Sequence, residues 1–199
     1  MNREPPWRRE LGVVLAVGMA AVLLVGCGGS GSGHATRKST GATDASPAGD
    51  IPDTQAYVRF VSPDGTYSLK VPEGWARAQT GAVTVFADKF NSVRVEALIA
   101  PPTAASATGD EIAAIAAATP GFKLGNVSTV KRTAGDARRV TYRAESGRDA
   151  VTGKSVRLAV ERYELTRNGR QVTITLSAPV GSDNVDPWKT ITNSFRWTT

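Results

Sequence analysis

Arg167-Asn168-Gly169-Arg170 is the stretch that most narrows what this chain can become. Asn-Gly between alternating apolar runs is the signature of a two-residue type I′ hairpin, because both central positions need positive φ. Val172, Ile174 and Leu176 follow at period two, the spacing that turns one face of a strand into a core. On the upstream side the apolar residues change phase, from Val156, Leu158 and Val160 to Tyr163 and Leu165. That flip predicts a β-bulge near Glu161 and Arg162.

The alternation recurs through the rest of the chain. A first strand is predicted at residues 57–61, a second carries Tyr67, Leu69 and Val71, a third Val83 and Val85, and a fourth Val93, Val95, Ala97 and Ile99. Pro63-Asp64-Gly65 is a turn, with Pro presetting φ and Gly permitting a positive one. Pro72-Glu73-Gly74-Trp75 closes the second strand and delivers Trp75 to a sheet edge or core rim. A helix follows, opened by a capping box from Thr108 to Glu111, striped with Ile112, Ile115 and Ala116, and stopped at Pro120-Gly121. Val127 and Val130, then Val140, Tyr142 and Ala144, mark two further strands. Near the end Asp186 reads as an N-cap and Pro187 as the first helical position. Trp188, Ile191, Thr192 and Phe195 then fall on one helical face. Strands, a helix, strands and a helix make an α+β protein, an antiparallel sheet with helices packed on it.

The N-terminal part has a different character. Arg3, Arg8 and Arg9 precede a 16-residue run of apolar and small residues, 11–26. That is signal-peptide length and short of the ~20 residues a spanning helix needs. Arg8-Arg9 suits a twin-arginine signal and ordinary n-region charge equally well. Leu24-Val25-Gly26-Cys27 resembles the bacterial lipobox. The resemblance implies cleavage before Cys27, a diacylglycerol on its sulfur and, often, acylation (palmitate) of the new amino terminus. Stable anchoring needs two or more chains, so such a modification is a sufficient anchor. The expected layout is a signal peptide at 1–26, a lipidated cysteine and flexible linker at 27–54, and one α+β domain at 55–199. The linker is Gly, Ser, Thr and Ala with almost no large apolar residue, too little to offset its ordering entropy. His34, the one histidine, reads there as a solvated side chain. The remaining ~145 residues suffice to bury a core without a disulfide or metal. Cys27 is the only cysteine, so no internal disulfide forms.

Phe60-Val61-Ser62-Pro63-Asp64-Gly65-Thr66-Tyr67-Ser68-Leu69, leading to Val71-Pro72-Glu73-Gly74-Trp75, resembles the opening of PsbP-like and Mog1-like domains. Trp188 and Ser194-Phe195-Arg196 resemble their closing helix. The resemblance implies an α/β/α sandwich around a central antiparallel sheet. It also points to lipid-anchored members in actinobacterial envelopes. Photosynthetic members assist the oxygen-evolving complex and others bind protein partners; none of the matching residues fixes those activities.

The chemistry-bearing residues are few. With no histidine beyond His34 and no cysteine beyond Cys27, the domain has neither a Ser-His or Cys-His nucleophile nor a zinc site. No P-loop, dinucleotide or EF-hand spacing occurs, so no metal or cofactor is expected. Glu161 and Glu164 point to opposite strand faces unless the expected bulge realigns them, and read as partners for neighbouring arginines rather than a catalytic pair. The net charge is +6, and between residues 123 and 170 there are 12 Lys or Arg against five Asp or Glu. Arg139, Arg143, Arg157, Arg167 and Arg170 form a candidate patch for an anionic partner; the bland alternative is arginines protecting a sheet edge. Nucleic acid is not an expected partner of an exported protein. The sequence therefore predicts a non-enzymatic lipoprotein on the extracytoplasmic face of the cell membrane. There it acts as a binding or scaffold module in the envelope, with an envelope protein or anionic polymer as partner. The competing expectation is a carrier of a small apolar or lipidic ligand, which needs a sizeable apolar cavity.

Overall fold

The computed structural model describes residues 49–99, 107–148 and 153–198. The signal, Cys27 and His34 lie outside them. Strands β1 (Tyr57–Val61), β2 (Tyr67–Pro72) and β10 (Arg196–Trp197) form a three-stranded sheet in the order β1-β2-β10. A seven-stranded sheet takes β3 (Ala76–Thr80), β4 (Val83–Asp88), β5 (Asn91–Ile99), β6 (Lys123–Arg132), β7 (Gly135–Glu145), β8 (Arg157–Arg167) and β9 (Arg170–Pro179). Its order is β3-β4-β5-β9-β8-β7-β6, antiparallel throughout. Helix α1 (Ala107–Ala118) and helix α2 (Val185–Asn193) complete the α+β architecture.

The large sheet has apolar residues on both faces, and this explains the phase flip in β8. Tyr163 and Leu165 join Val93, Val95, Val172, Ile174 and Leu176 in the main core, beneath the small sheet and α2. Val160 and Leu158 point the other way and pack with Val140, Tyr142, Ala144 and, from α1, Ile112 and Ile115. The expected bulge at Glu161 and Arg162 is absent: β8 runs in unbroken register against both β7 and β9. A strand sandwiched on both sides changes apolar phase simply because its two ends serve different cores. The register shift falls instead in β6, between Leu124 and Val127.

The hairpin is as the residues require, with φ of 50° at Asn168 and 71° at Gly169 and Arg167 paired to Arg170. The Pro63-Asp64-Gly65 turn closes with the Gly65 amide donating to the Ser62 carbonyl at 2.9 Å. Trp75 sits half-buried at the rim of the main core.

Both helix starts differ from expectation. Helix α1 begins at Ala107, so Thr108 is not its cap, and both Glu111 carboxylate oxygens face arginines of the sheet. Charge-assisted bonds to Arg138 and Arg162 outweigh one bond to a backbone amide. In α2 the cap is Asn184, leaving Asp186 and Pro187 within the first turn, where a missing N–H costs nothing. Asn184 makes no capping bond. Its Oδ1 accepts from the Ile51 amide at 2.7 Å, and its Nδ2 donates to the Gly49 carbonyl and Asn91 Oδ1. Ile51 is buried in the main core, so the packed body includes residues that composition assigns to the linker. Trp188, Ile191, Thr192 and Phe195 are buried as their spacing predicts, although Phe195 lies past the end of α2 and leads into β10.

A basic cleft beside helix α2

Residues at odd positions of β7 and β8 face α2. On that face Ala137, Tyr163 and Leu165 belong to the main core, whereas Arg139, Arg143 and Glu161 line open depressions. Two adjoining depressions of about 440 and 170 Å³ result, sharing Ala159, Glu161 and Trp188. Strand β6 supplies Lys123 and Arg132, β7 supplies Arg139 and Arg143, and α2 supplies Lys189, with the highly exposed Val185 beside it. Five cations thus line the cleft against one carboxylate, Glu161.

The floor is held by a short polar chain. Tyr163 Oη donates to Glu161 Oε2, and Arg139 Nη1 lies 3.6 Å from Glu161 Oε1. Arg132 donates through Nη2 to Tyr163 Oη at 3.0 Å and through Nε to Thr192 Oγ1 at 2.9 Å. Its guanidinium also stacks 4.8 Å above the Tyr163 ring. Burial, reinforced by the Glu161 bond and charge, pushes the Tyr163 hydroxyl up from its ordinary value, so it stays a neutral donor. Arg139 Nε and Ser182 Oγ are buried without a hydrogen-bond partner and both residues line the smaller depression. Such groups are costly unless something polar meets them. The arrangement suits an anion: fixed cations, two unsatisfied donors, and a single carboxylate already engaged.

Of the five sequence-predicted arginines, Arg139 and Arg143 meet in this cleft. Arg157 stands across from Glu145 at one end of β8. Arg167 and Arg170 pair at the other end, beside Thr66 and Trp197, about 33 Å along the strand at ~3.3 Å per residue. The sequence reading did not name Lys123, Arg132 or Lys189. No local spacing marks them, because β6 and α2 reach the cleft only through tertiary packing.

Glu161 and Glu164 do point to opposite faces, each with arginines. On the α1 side Arg138 Nη1 reaches Glu111 Oε2 and Glu164 Oε2, both at 2.6 Å. Arg162 reaches Glu111 Oε1 and Glu164 Oε1, both at 2.8 Å. Two arginines and two carboxylates thereby fasten α1 to β7 and β8. Burial, followed by the neighbouring Glu111, pushes Glu164 up. For Glu111 burial is outweighed by the neighbouring Glu164 and by the hydrogen bonds it accepts from Arg162 and Arg138, which hold it below the usual carboxylate range. Among the described residues no group of three or more His, Cys, Asp or Glu is placed to hold a metal, and no helix is long and apolar enough to cross a membrane.

No family model matches the chain, and no curated protein does. Solved structures do. Cyanobacterial PsbP from Synechocystis sp. PCC 6803 aligns with a TM-score of 0.52 at 18% identity, over 76% of this chain and 99% of that one. The Saccharomyces cerevisiae Ran-binding protein Mog1p aligns at 0.48 and 12% identity, over 72% and 96%. Mycobacterium tuberculosis LpqN, involved in cell envelope biogenesis, aligns at 0.42 and 15%, over 74% and 93%. The chain spans about half, 48%, of a longer Bacteroides thetaiotaomicron protein. The PsbP likeness shows the fold alone: a mostly antiparallel α+β domain like that of PsbP.

Proposed function

We propose that this chain is a non-catalytic binding module of the cell envelope, held at the extracytoplasmic face through Cys27, and that the α2 cleft takes an anionic group of its partner. One observation carries the reading: five cations and two buried unpartnered donors surround a cleft whose single carboxylate is already bonded. A binding face is favoured over an apolar carrier because each cleft described carries at least two lysine or arginine side chains in its lining. The main-core side is filled, with Val95, Ile174, Leu176, Ile191 and Phe195 fully buried.

The test is titration of the full chain, in non-ionic detergent, with a soluble polyanion such as polyphosphate, with neutral dextran as control. A charge-assisted bond contributes ~1.5 kcal/mol or more, so Arg139→Gln and Arg143→Gln each weaken binding by about tenfold, and added salt weakens it further. Affinity indifferent to both variants and to salt refutes the cleft. The anchor is tested separately by metabolic lipid labelling, and label retained by Cys27→Ala refutes it.

A further inference from the structure

The outer face of the three-stranded sheet carries a second cationic cluster, on residues that the sequence reading left unassigned. In the β1–β2 register Arg59 stands directly opposite Lys70, and in the β10–β2 register Arg196 stands opposite Ser68. The neighbouring positions Phe60, Tyr67 and Leu69 point into the main core, so Arg59, Lys70 and Arg196 all face outward, and all three are exposed. Like charges directly opposite on an antiparallel pair destabilise it, and a sheet built for stability alone would place a carboxylate there. Here there is none: the depression of about 520 Å³ over this face is lined by the three cations and by Ser68, Thr190 and Asn193, among others, without an acidic residue.

Two of the cations are held in place by neutral groups. Arg59 Nη2 donates to Ser68 Oγ at 3.2 Å, and Arg196 Nη1 donates to the Asn193 and Phe195 carbonyls at 2.7 Å each. These bonds orient the guanidinium groups and leave their charge uncompensated. Val61, on the same outward face beside Ser68, is an exposed apolar side chain.

We infer that this face docks the domain onto an anionic phospholipid surface, through headgroup phosphates held by Arg59, Lys70 and Arg196. The inference rests on the anchor reading, not on the α2 cleft. On the anchor reading 22 positions separate Cys27 from Gly49, and a Gly- and Ser-rich sequence of that length would reach about 25 Å, so a tethered domain would meet the bilayer at high effective concentration. Weak attractions then suffice, each exposed cation near an anionic surface favouring the docked state by about fivefold.

Amine acetylation of the full chain in vesicles, read by mass spectrometry, tests the docking. Lys70 reports on this face, and Lys123 and Lys189 of the cleft serve as references. Lys70 reacts more slowly in phosphatidylglycerol than in phosphatidylcholine vesicles, and salt removes the protection. Arg59→Gln lowers the docked ratio by about fivefold and Arg59→Glu by about thirtyfold, with unchanged Lys123 and Lys189 rates showing that the fold is intact. Equal Lys70 rates in the two lipids, or protection confined to Lys123 and Lys189, overturn the docking while leaving the cleft reading standing. Protection of Lys70 by soluble polyphosphate in phosphatidylcholine vesicles, to the same degree, assigns the cluster to a free phosphate ligand and also overturns it. Failure of the chain to float with either vesicle overturns the anchor and the docking together.

Discussion

Replacing Arg162 by methionine removes the deeper cation of the network that fastens α1 to the sheet. Glu164 has a side chain only 6% exposed and loses its contact at Oε1, while Glu111 loses its contact at Oε1. Arg138 still touches both carboxylates, so two acids remain against one base. Breaking a buried pair costs ~3–5 kcal/mol, and the surviving Arg138 contacts place this case at the lower end, about 3 kcal/mol. With a urea m-value of about 2 kcal/mol/M, the midpoint falls by ~1.5 M at unchanged m. Adding Glu164→Leu restores one acid to one base and returns stability to within about 1 kcal/mol of the parent, because an apolar replacement of a buried pair is near neutral. Urea unfolding of the full chain, followed by circular dichroism, measures both variants. A midpoint shift below about 0.5 M, or a double variant as unstable as the single, refutes the reasoning.

The same two carboxylates make stability depend on pH in opposite senses. Glu164 is pushed up in the folded state, so its contribution grows as pH falls through its folded value towards ~4.3 and is lost as pH rises. Glu111 is held low, so its contribution is present above ~4.3 and is lost as pH falls through its folded value. Thermal unfolding from pH 3 to 8 therefore shows Glu164→Gln flattening the limb above ~4.3 and Glu111→Gln the limb below; the reverse assignment refutes it. At the other end of the domain, Asn184→Ala leaves the buried Ile51 amide without its acceptor, a cost of ~1–3 kcal/mol. Hydrogen exchange accelerates at Ile51 while Ile174 and Leu176 stay protected. An unchanged Ile51 rate means that Asn184 does not pin the entry segment.

What could be read from the residues was local. The Asn168-Gly169 turn and the Ser62 to Tyr67 turn depend on φ preferences of a few neighbours, and the period-two runs of β2, β4, β5 and β9 depend on one face being apolar. Strand β3 escaped because all five residues of Ala76–Thr80 are exposed and show no alternation. It exists as a strand by virtue of its register with β4. The two-residue β10 escaped for the same reason: only its pairing with Tyr67 and Ser68 defines it.

The candidate sites divide along the same line. Local spacing could show that Arg139 and Arg143 share a strand face, and that Glu161 and Glu164 do not. It could not show that β6 and α2 bring Lys123, Arg132 and Lys189 to that face, or that Glu111 crosses from α1 to Arg138 and Arg162. Nor could it pair Arg59 with Lys70 on the outward side of a separate small sheet. By itself the sequence determined an antiparallel α+β domain and its turns, since these follow from backbone preference and apolar period over a few residues. The tertiary structure alone decided which charges meet. Groups up to 135 positions apart, as with Gly49 and Asn184, become neighbours only when the sheets and helices close on shared cores.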